Sequence, residues 1–280
     1  KCIATTVALT PIFYTINTTM KIAYLLRGQA RQTHQSSELF RRYTVDRFPD
    51  YSFDTHIYTW NHWNSSNQGL PAPRTYTDSM VLKDQLLKQY NPTTITIGDN
   101  SHETLYSERE ISVLNQIIAD LRGQTQLYNY YKDSVIKPDL IVDTRPEMFH
   151  WIDVDYYEDT TKTLNKSPNS VLVNKLKLTD NLRYTSDYTF IYNWNTLEDM
   201  CSSDPQARLN QLNSFEYSIN NSDHYTSHTL YPYIVYSKQT LCDTGSVEPP
   251  QTVLNTYYPE HEIFHSEAAQ SRFYSYSKLQ

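Results

Sequence analysis

The sequence predicts an α/β fold: one domain built on a mostly parallel, doubly wound sheet with helices on both faces. Three observations predict it. Short apolar runs at Lys21 to Leu26, Phe53 to Trp60, Thr93 to Ile97 and Leu140 to Val142 read as strands. The segments between them carry apolar residues at helical spacing. Polar or glycine-bearing sequence follows the runs, as expected of a ligand site along one edge of a parallel sheet.

The elements follow in order. Lys21 to Leu26 is a continuous apolar run, hence a buried strand, and Arg27-Gly28-Gln29-Ala30-Arg31 is a polar loop after it. Thr33 or Ser36 caps a helix through Leu39, Phe40, Tyr43 and Val45 that ends before Pro49. Phe53 to Trp60 alternates into a second strand, and 61–74 is a loop rich in Asn, Ser, Gly and Pro. Asp78 or Ser79 opens a helix stopped by Asn91-Pro92, and β-branched Thr93 to Ile97 makes a third strand. Ser107 to Tyr131 is the longest helical pattern, with Gly123 expected to kink it or divide it in two. Right-handed crossovers between the strands from Lys21 to Arg145 then give the parallel sheet. Beyond residue 150 the pattern is less regular. Val171 to Leu178 and Tyr188 to Tyr192 read as strands, Thr196 to Cys201 and Pro205 to Phe215 as helices. Tyr231 to Tyr236 fits either state, and Glu260 to Ser275 reads as a terminal helix.

Composition narrows the function. The 280 residues suit a single large domain. Tyrosine outnumbers phenylalanine 25 to 9, which suits polar, aromatic-lined clefts for sugars or nucleotides. The net charge of −7 and the lack of any basic run argue against binding a nucleic-acid backbone. Cys2, Cys201 and Cys242 are too few and scattered for a disulfide framework or a structural zinc site, so a reducing, cytoplasmic compartment is expected. Met20 directly precedes the first strand. Residues 1–19 therefore read as an N-terminal appendage and 20–280 as the domain, and no segment is apolar enough to cross a membrane.

The richest stretch is Asp139-Leu-Ile-Val-Asp-Thr-Arg-Pro-Glu147, an apolar strand that ends in Asp143, Arg145 and Glu147. It reads in two ways. Asp143 and Glu147 coordinate Mg²⁺ or Mn²⁺ through oxygen ligands, or Arg145 neutralises them as a structural pair. Arg27, Gly28, Gln29 and Arg31 after the first strand suit a phosphate: the glycine lets backbone approach and arginine binds bidentately. Trp60 after the second strand and Asp99 after the third extend the row of polar strand ends. Asp187, just before the apolar run to Tyr192, is the candidate general base, or else a cap. The stretch Asp153, Asp155, Glu158, Asp159 reads as a solvated loop.

Taken in order, several motifs carry a resemblance. They are Lys21-Ile-Ala-Tyr-Leu-Leu-Arg-Gly-Gln-Ala-Arg, His56-Ile-Tyr-Thr-Trp, Tyr90-Asn-Pro, Gln126-Leu-Tyr-Asn-Tyr-Tyr-Lys, Asp139 to Glu147 and Ser186-Asp-Tyr-Thr-Phe-Ile-Tyr. The chain resembles glycosyltransferases of large DNA viruses, marine phages and bacterial polysaccharide clusters, whose pattern is I-R-G-Q-x-R, I-H-T-W, Q-x-Y-S, R-T-R-P-D and S-D-x-F. The resemblance covers Met20 to about Tyr192. It implies a GT-A-like, Rossmann-like fold with a nucleotide-sugar-binding half (20–150) and an acceptor-side half (151–280), in a host-cell cytoplasm if the source is viral. By position it places Gln126 with the donor-binding residues and Asp143 to Glu147 at the acidic element that holds a divalent ion on the donor diphosphate. The chain departs from the pattern there: Asp143 replaces its first Arg, Glu147 replaces its final Asp, and no D-x-D is present.

The expectation is therefore transfer of a sugar from a nucleotide sugar to a glycan hydroxyl, aided by Mn²⁺ or Mg²⁺ or by arginine in the ion's place. Two other readings stand beside it. One is sulfuryl transfer from a nucleotide phosphosulfate, which asks for a phosphate cradle after the first strand. The other is a non-catalytic carbohydrate-binding protein.

Overall fold

The computed structural model describes residues 19–30, 33–64, 74–98, 108–146, 149–152, 156–173, 177–178, 183–184, 189–202, 235–236, 238–243 and 273–276. In chain order the elements are β1 (Lys21–Arg27), α1 (Thr33–Phe40), a π-helical turn (Arg41–Val45), β2 (Ser52–Trp60), β3 (His62–Asn64), β4 (Arg74–Tyr76), α2 (Ser79–Tyr90), β5 (Thr94–Gly98) and α3 (Glu108–Tyr131). They continue with β6 (Leu140–Thr144), β7 (Phe149–Ile152), α4 (Tyr156–Lys166), β8 (Ser170–Val173), β9 (Lys177–Leu178), β10 (Arg183–Tyr184), β11 (Thr189–Tyr192), α5 (Trp194–Ser202), β12 (Thr240–Asp243) and β13 (Phe273–Tyr276).

Seven strands form one sheet in the order β12-β8-β11-β6-β1-β2-β5. The pairs β6/β1, β1/β2, β2/β5 and β12/β8 are parallel, and β11 runs antiparallel to both of its neighbours. The expected α/β fold with a mostly parallel sheet is thus what the chain adopts. From β1 the chain steps outward to β2 and β5, then returns to the other side of β1 as β6.

Side-chain parity assigns the faces. Ile22, Tyr24 and Leu26 of β1 pack with Phe40, Leu82, Leu86, Tyr90, Tyr157 and Leu164, so α1, α2 and α4 cover that face. Ala23 and Leu25 pack with Ile117, Leu121, Leu127, Leu197 and Met200, so α3 and α5 cover the other. Strands buried on both faces require the continuous apolar runs seen in the sequence.

Several boundaries differ from expectation. α3 runs unbroken through Gly123. The glycine is needed for close approach: a Cβ there would stand 3.2 Å from Leu25 Cδ1 and 3.4 Å from Tyr58 Cβ. Glu158 and Asp159 do not lie in a loop but in the first turn of α4, while 153–155 fall outside the described residues. Within the expected strand Val171 to Leu178, Ser170–Val173 and Lys177–Leu178 belong to different sheets. Phe273–Tyr276 is a strand rather than the end of a helix, and it pairs in parallel with β7. Val235 and Tyr236 lie in a turn, neither strand nor helix. The expected helix over 205–215 and the appendage through residue 18 lie outside the described residues. Among the described residues, no helix is long and apolar enough to cross a membrane.

Candidate functional site

The reversal of strand order between β1 and β6 sets the site. Loops leaving the carboxyl ends of two such strands turn to opposite sides and open a crevice between them. Gly28 stands at the end of β1 with φ 108°, a conformation costly for any residue with a Cβ. Its N–H donates to the Tyr58 carbonyl at 3.1 Å, which ties the loop to β2. Arg145 follows β6, and its Cγ lies 3.9 Å from the position a Gly28 Cβ would take. The half-buried Arg145 therefore lies across the glycine, at the mouth of the crevice. Thr144, beneath it, bonds Thr189 of β11 hydroxyl to hydroxyl at 2.9 Å.

Under this mouth lies a buried charged cluster. Parity sends Arg27 and Asp143 to the α3 face, where both are essentially inaccessible to solvent, with exposures of 1% and 0%. Arg27 Nε donates to Asp143 Oδ1 at 2.8 Å and also meets the buried Asp120 carboxylate of α3. Asp143 Oδ2 accepts from Gln124 Nε2 at 3.2 Å, Tyr192 Oη at 3.1 Å and Tyr236 Oη at 3.4 Å. The Arg27 guanidinium also packs over the Phe190 ring, 5.5 Å from its centroid. Burial raises the pKa of Tyr192 and Tyr236, and the Asp143 charge raises it further, so both hydroxyls remain donors. A buried carboxylate requires such donors, and here it has them on both oxygens.

Asp143 by itself has no open oxygen for a divalent ion. Both Asp143 oxygens are engaged by cationic or neutral hydrogen-bond donors and neither faces solvent. Among the described residues, no group of three His, Cys, Asp or Glu side chains is placed to hold a metal. Asp143 pairs with Arg27 from the neighbouring strand, and Glu147, the other candidate ligand, lies outside the described residues.

No protein-family model and no curated protein matches the sequence. Among solved structures the chain is similar to the galactosyltransferase LgtC in complex with donor and acceptor sugar analogues. That likeness has 8% identity and a TM-score of 0.45, over 92% of this chain and 86% of that one. The chain is also similar to a CMP:2-keto-3-deoxy-manno-octonic acid synthetase complexed with CTP, at 10% identity and a TM-score of 0.34, over 85% of this chain and 97% of that one. With TM-scores below 0.5, the functional reading rests on this chain's own residues.

Of the expected site residues, the structure brings Arg27, Gly28, Asp143 and Arg145 together, and the adjacent Gln29 is almost fully buried. Two are elsewhere. Trp60 is 2% exposed and packs in the core with Tyr58 and Ala119, so it presents no face to a nucleotide base. Gln126 donates to Thr94 Oγ1 at 2.7 Å, on the edge strand β5, three strands across the sheet from Asp143. The direct phosphate-binding role expected of Arg27 gives way to a buried ion pair. The single-glycine cradle of the sulfuryl-transfer reading also weakens, because the Gly28 N–H is engaged by Tyr58. Arg31, Asp99, Glu147 and Asp187 lie outside the described residues.

Sequence reasoning missed Asp120, Gln124, Tyr192 and Tyr236. A signal existed for the first two. With Ile117, Leu121 and Tyr131 they continue the i, i+3, i+4 stripe of α3, so a carboxylate and an amide stand on a face that must be buried. No local signal pointed to Tyr236.

Proposed function

We propose that this chain is a glycosyltransferase that moves a sugar from a nucleotide-sugar donor to a glycan hydroxyl. The observation that carries the reading is the β1/β6 crevice, with Arg145 lying across Gly28 at its mouth. The ordered motifs of the sequence support it.

In this reading the donor diphosphate sits at the crevice mouth. Arg145 hydrogen-bonds its oxygens and stabilises the charge that grows on the leaving phosphate as the bond from the anomeric carbon breaks. The acceptor hydroxyl forms the new bond, and Asp187 takes its proton if the configuration inverts. Arg31, Glu147 and Asp99, which lie outside the described residues, keep the donor-binding roles expected from the sequence. Arg27 and Asp143 do not touch substrate; they hold the two strand ends in register beneath it. Arginine thus takes the charge-balancing role that a divalent ion would otherwise fill, and Asp143 is not a ligand.

Calorimetric titration with a panel of UDP-, GDP- and CMP-sugars, each with and without Mn²⁺, tests this. We expect one class to bind, with Mn²⁺ changing its affinity little. Arg145→Ala should weaken that binding roughly 10- to 100-fold, the worth of a charge-assisted hydrogen bond. No binding across the panel would sink the proposal.

A further inference from the structure

One side chain links α1 to the exit of β6. Tyr90, the last residue of α2, donates its hydroxyl proton to the Pro146 carbonyl at 2.8 Å. That proton being committed, its oxygen accepts from the Ser36 hydroxyl, 3.1 Å away. Ser36 lies on α1, which follows the Gly28 loop; Pro146 follows Arg145 on the β6 exit. The bridge Ser36 → Tyr90 → Pro146 is buried throughout.

The tyrosine is fixed before it bonds. Asn91, in the left-handed region at φ 45° and ψ 52°, ends α2 directly after it, and the Asn91 N–H closes on Leu87 O at 3.0 Å. Its ring packs on Phe40, one turn from Ser36 on α1, with centroids 6.0 Å apart. A rigid ring that carries one hydroxyl to α1 and to the β6 exit sets their separation. Without that hydroxyl the Pro146 carbonyl loses this buried donor, and the turn gains from rearranging toward water.

We infer that Tyr90 is a positioning residue: its hydroxyl fixes the spacing between α1 and the β6 exit and so holds Arg145 over Gly28. The effect on ligand binding rests on the transferase reading; the effect on the loops does not.

Hydrogen–deuterium exchange on the full chain tests the loops. Tyr90→Phe keeps the ring and removes one oxygen. It should speed exchange about tenfold in peptides covering 33–40 and 140–146, while 52–60 and 94–98 stay unchanged. Ser36→Ala, which leaves the ring untouched, should speed 33–40 alone. Unchanged exchange at both loops, or acceleration throughout the chain, overturns the inference. Titration with whichever UDP-, GDP- or CMP-sugar binds the native chain tests the coupling. Tyr90→Phe should weaken that ligand about tenfold in the native background and not at all in an Arg145→Ala background. Equal losses in both backgrounds overturn the positioning role. Failure of the native chain to bind any sugar of the panel overturns the activity reading, and the exchange result still decides Tyr90.

Discussion

Arg27 and Asp143 show how one residue's role turns on where its strand points it. Both are chemically fit for a diphosphate site, and both are buried in an ion pair instead. Two carboxylates, Asp120 and Asp143, share one guanidinium, so the partners are not equivalent. Arg27→Met would remove a buried guanidinium from two buried carboxylates and should cost about 3–5 kcal/mol, a fall in Tm of roughly 10 °C. Asp143→Asn leaves Arg27 paired with Asp120 and should cost less, about 1.5–3 kcal/mol. Thermal denaturation ranks the two. If Arg27→Met abolished nucleotide binding with Tm unchanged, the residue would be a surface phosphate ligand and this account of it wrong. The burial was legible in the sequence. Ala23, Leu25 and Arg27 share one parity, as do Ile141 and Asp143, and those apolar partners must face a helix. What was not legible is which helix, and that it carries Asp120.

At the scale of elements, punctuation residues were read reliably. Asp78 caps α2, accepting from Met80 N at 2.8 Å and Val81 N at 3.1 Å, and Asn91-Pro92 ends it. The misses share a cause, namely buried faces too narrow or too polar for a periodicity test. α4 buries Tyr157, Thr160 and Leu164, a stripe one residue wide with a threonine in the middle. Its acidic start looked like a loop, yet Glu158 and Asp159 suit a helix amino end, and both pair with Lys162, at 3.5 and 3.6 Å. Gly123 misled in the other direction, since propensity suggests a break where the cause is packing. Gly123→Ala should therefore lower stability even though alanine favours helix by about 1 kcal/mol. The new methyl meets Leu25, fully buried in a central strand, and the Tyr58 Cβ, which no rotamer change can move. Overpacking of that kind costs about 1–3 kcal/mol, so we expect a net loss of about 1 kcal/mol in chemical denaturation. A gain would mean that α3 can lift from the sheet.

Across the whole molecule, the α3 face of the sheet carries polar networks at both edges, and the second sets the pH response of the fold. The doubly wound topology was legible from strand and helix order alone, but not that β2 would put Asp54 and His56 on the same buried face as Tyr58. At the amino edge Tyr131 gives its hydroxyl proton to Asp54, so its oxygen accepts from His56 Nε2 at 3.3 Å. His56 Nδ1 then accepts from Thr94 Oγ1 at 2.8 Å, and Thr94 accepts from Gln126 Nε2. The chain has one direction and suits only a neutral imidazole. Burial pushes the His56 pKa down from 6.5 to about 4, with the Asp54 carboxylate opposing and the Lys21 ammonium assisting. The exposed Tyr130 ring packs edge-on against the imidazole at 4.9 Å. Burial alone would raise the Asp54 pKa, but the Tyr131 hydrogen bond and Lys21 outweigh it and lower the value. The signs follow. Between pH 6.5 and 4 the unfolded chain binds a proton at His56 that the folded chain does not, so stability falls as pH drops through that window. The depth is about 3 kcal/mol, from 2.5 pKa units at 1.36 kcal/mol each. Asp54 adds its own loss only below its ordinary value near 3.8, so the two steps separate. Urea denaturation from pH 8 to pH 4 should show the fall, and His56→Gln should flatten it while lowering stability at pH 8. An unchanged slope in that variant would place the titrating group elsewhere.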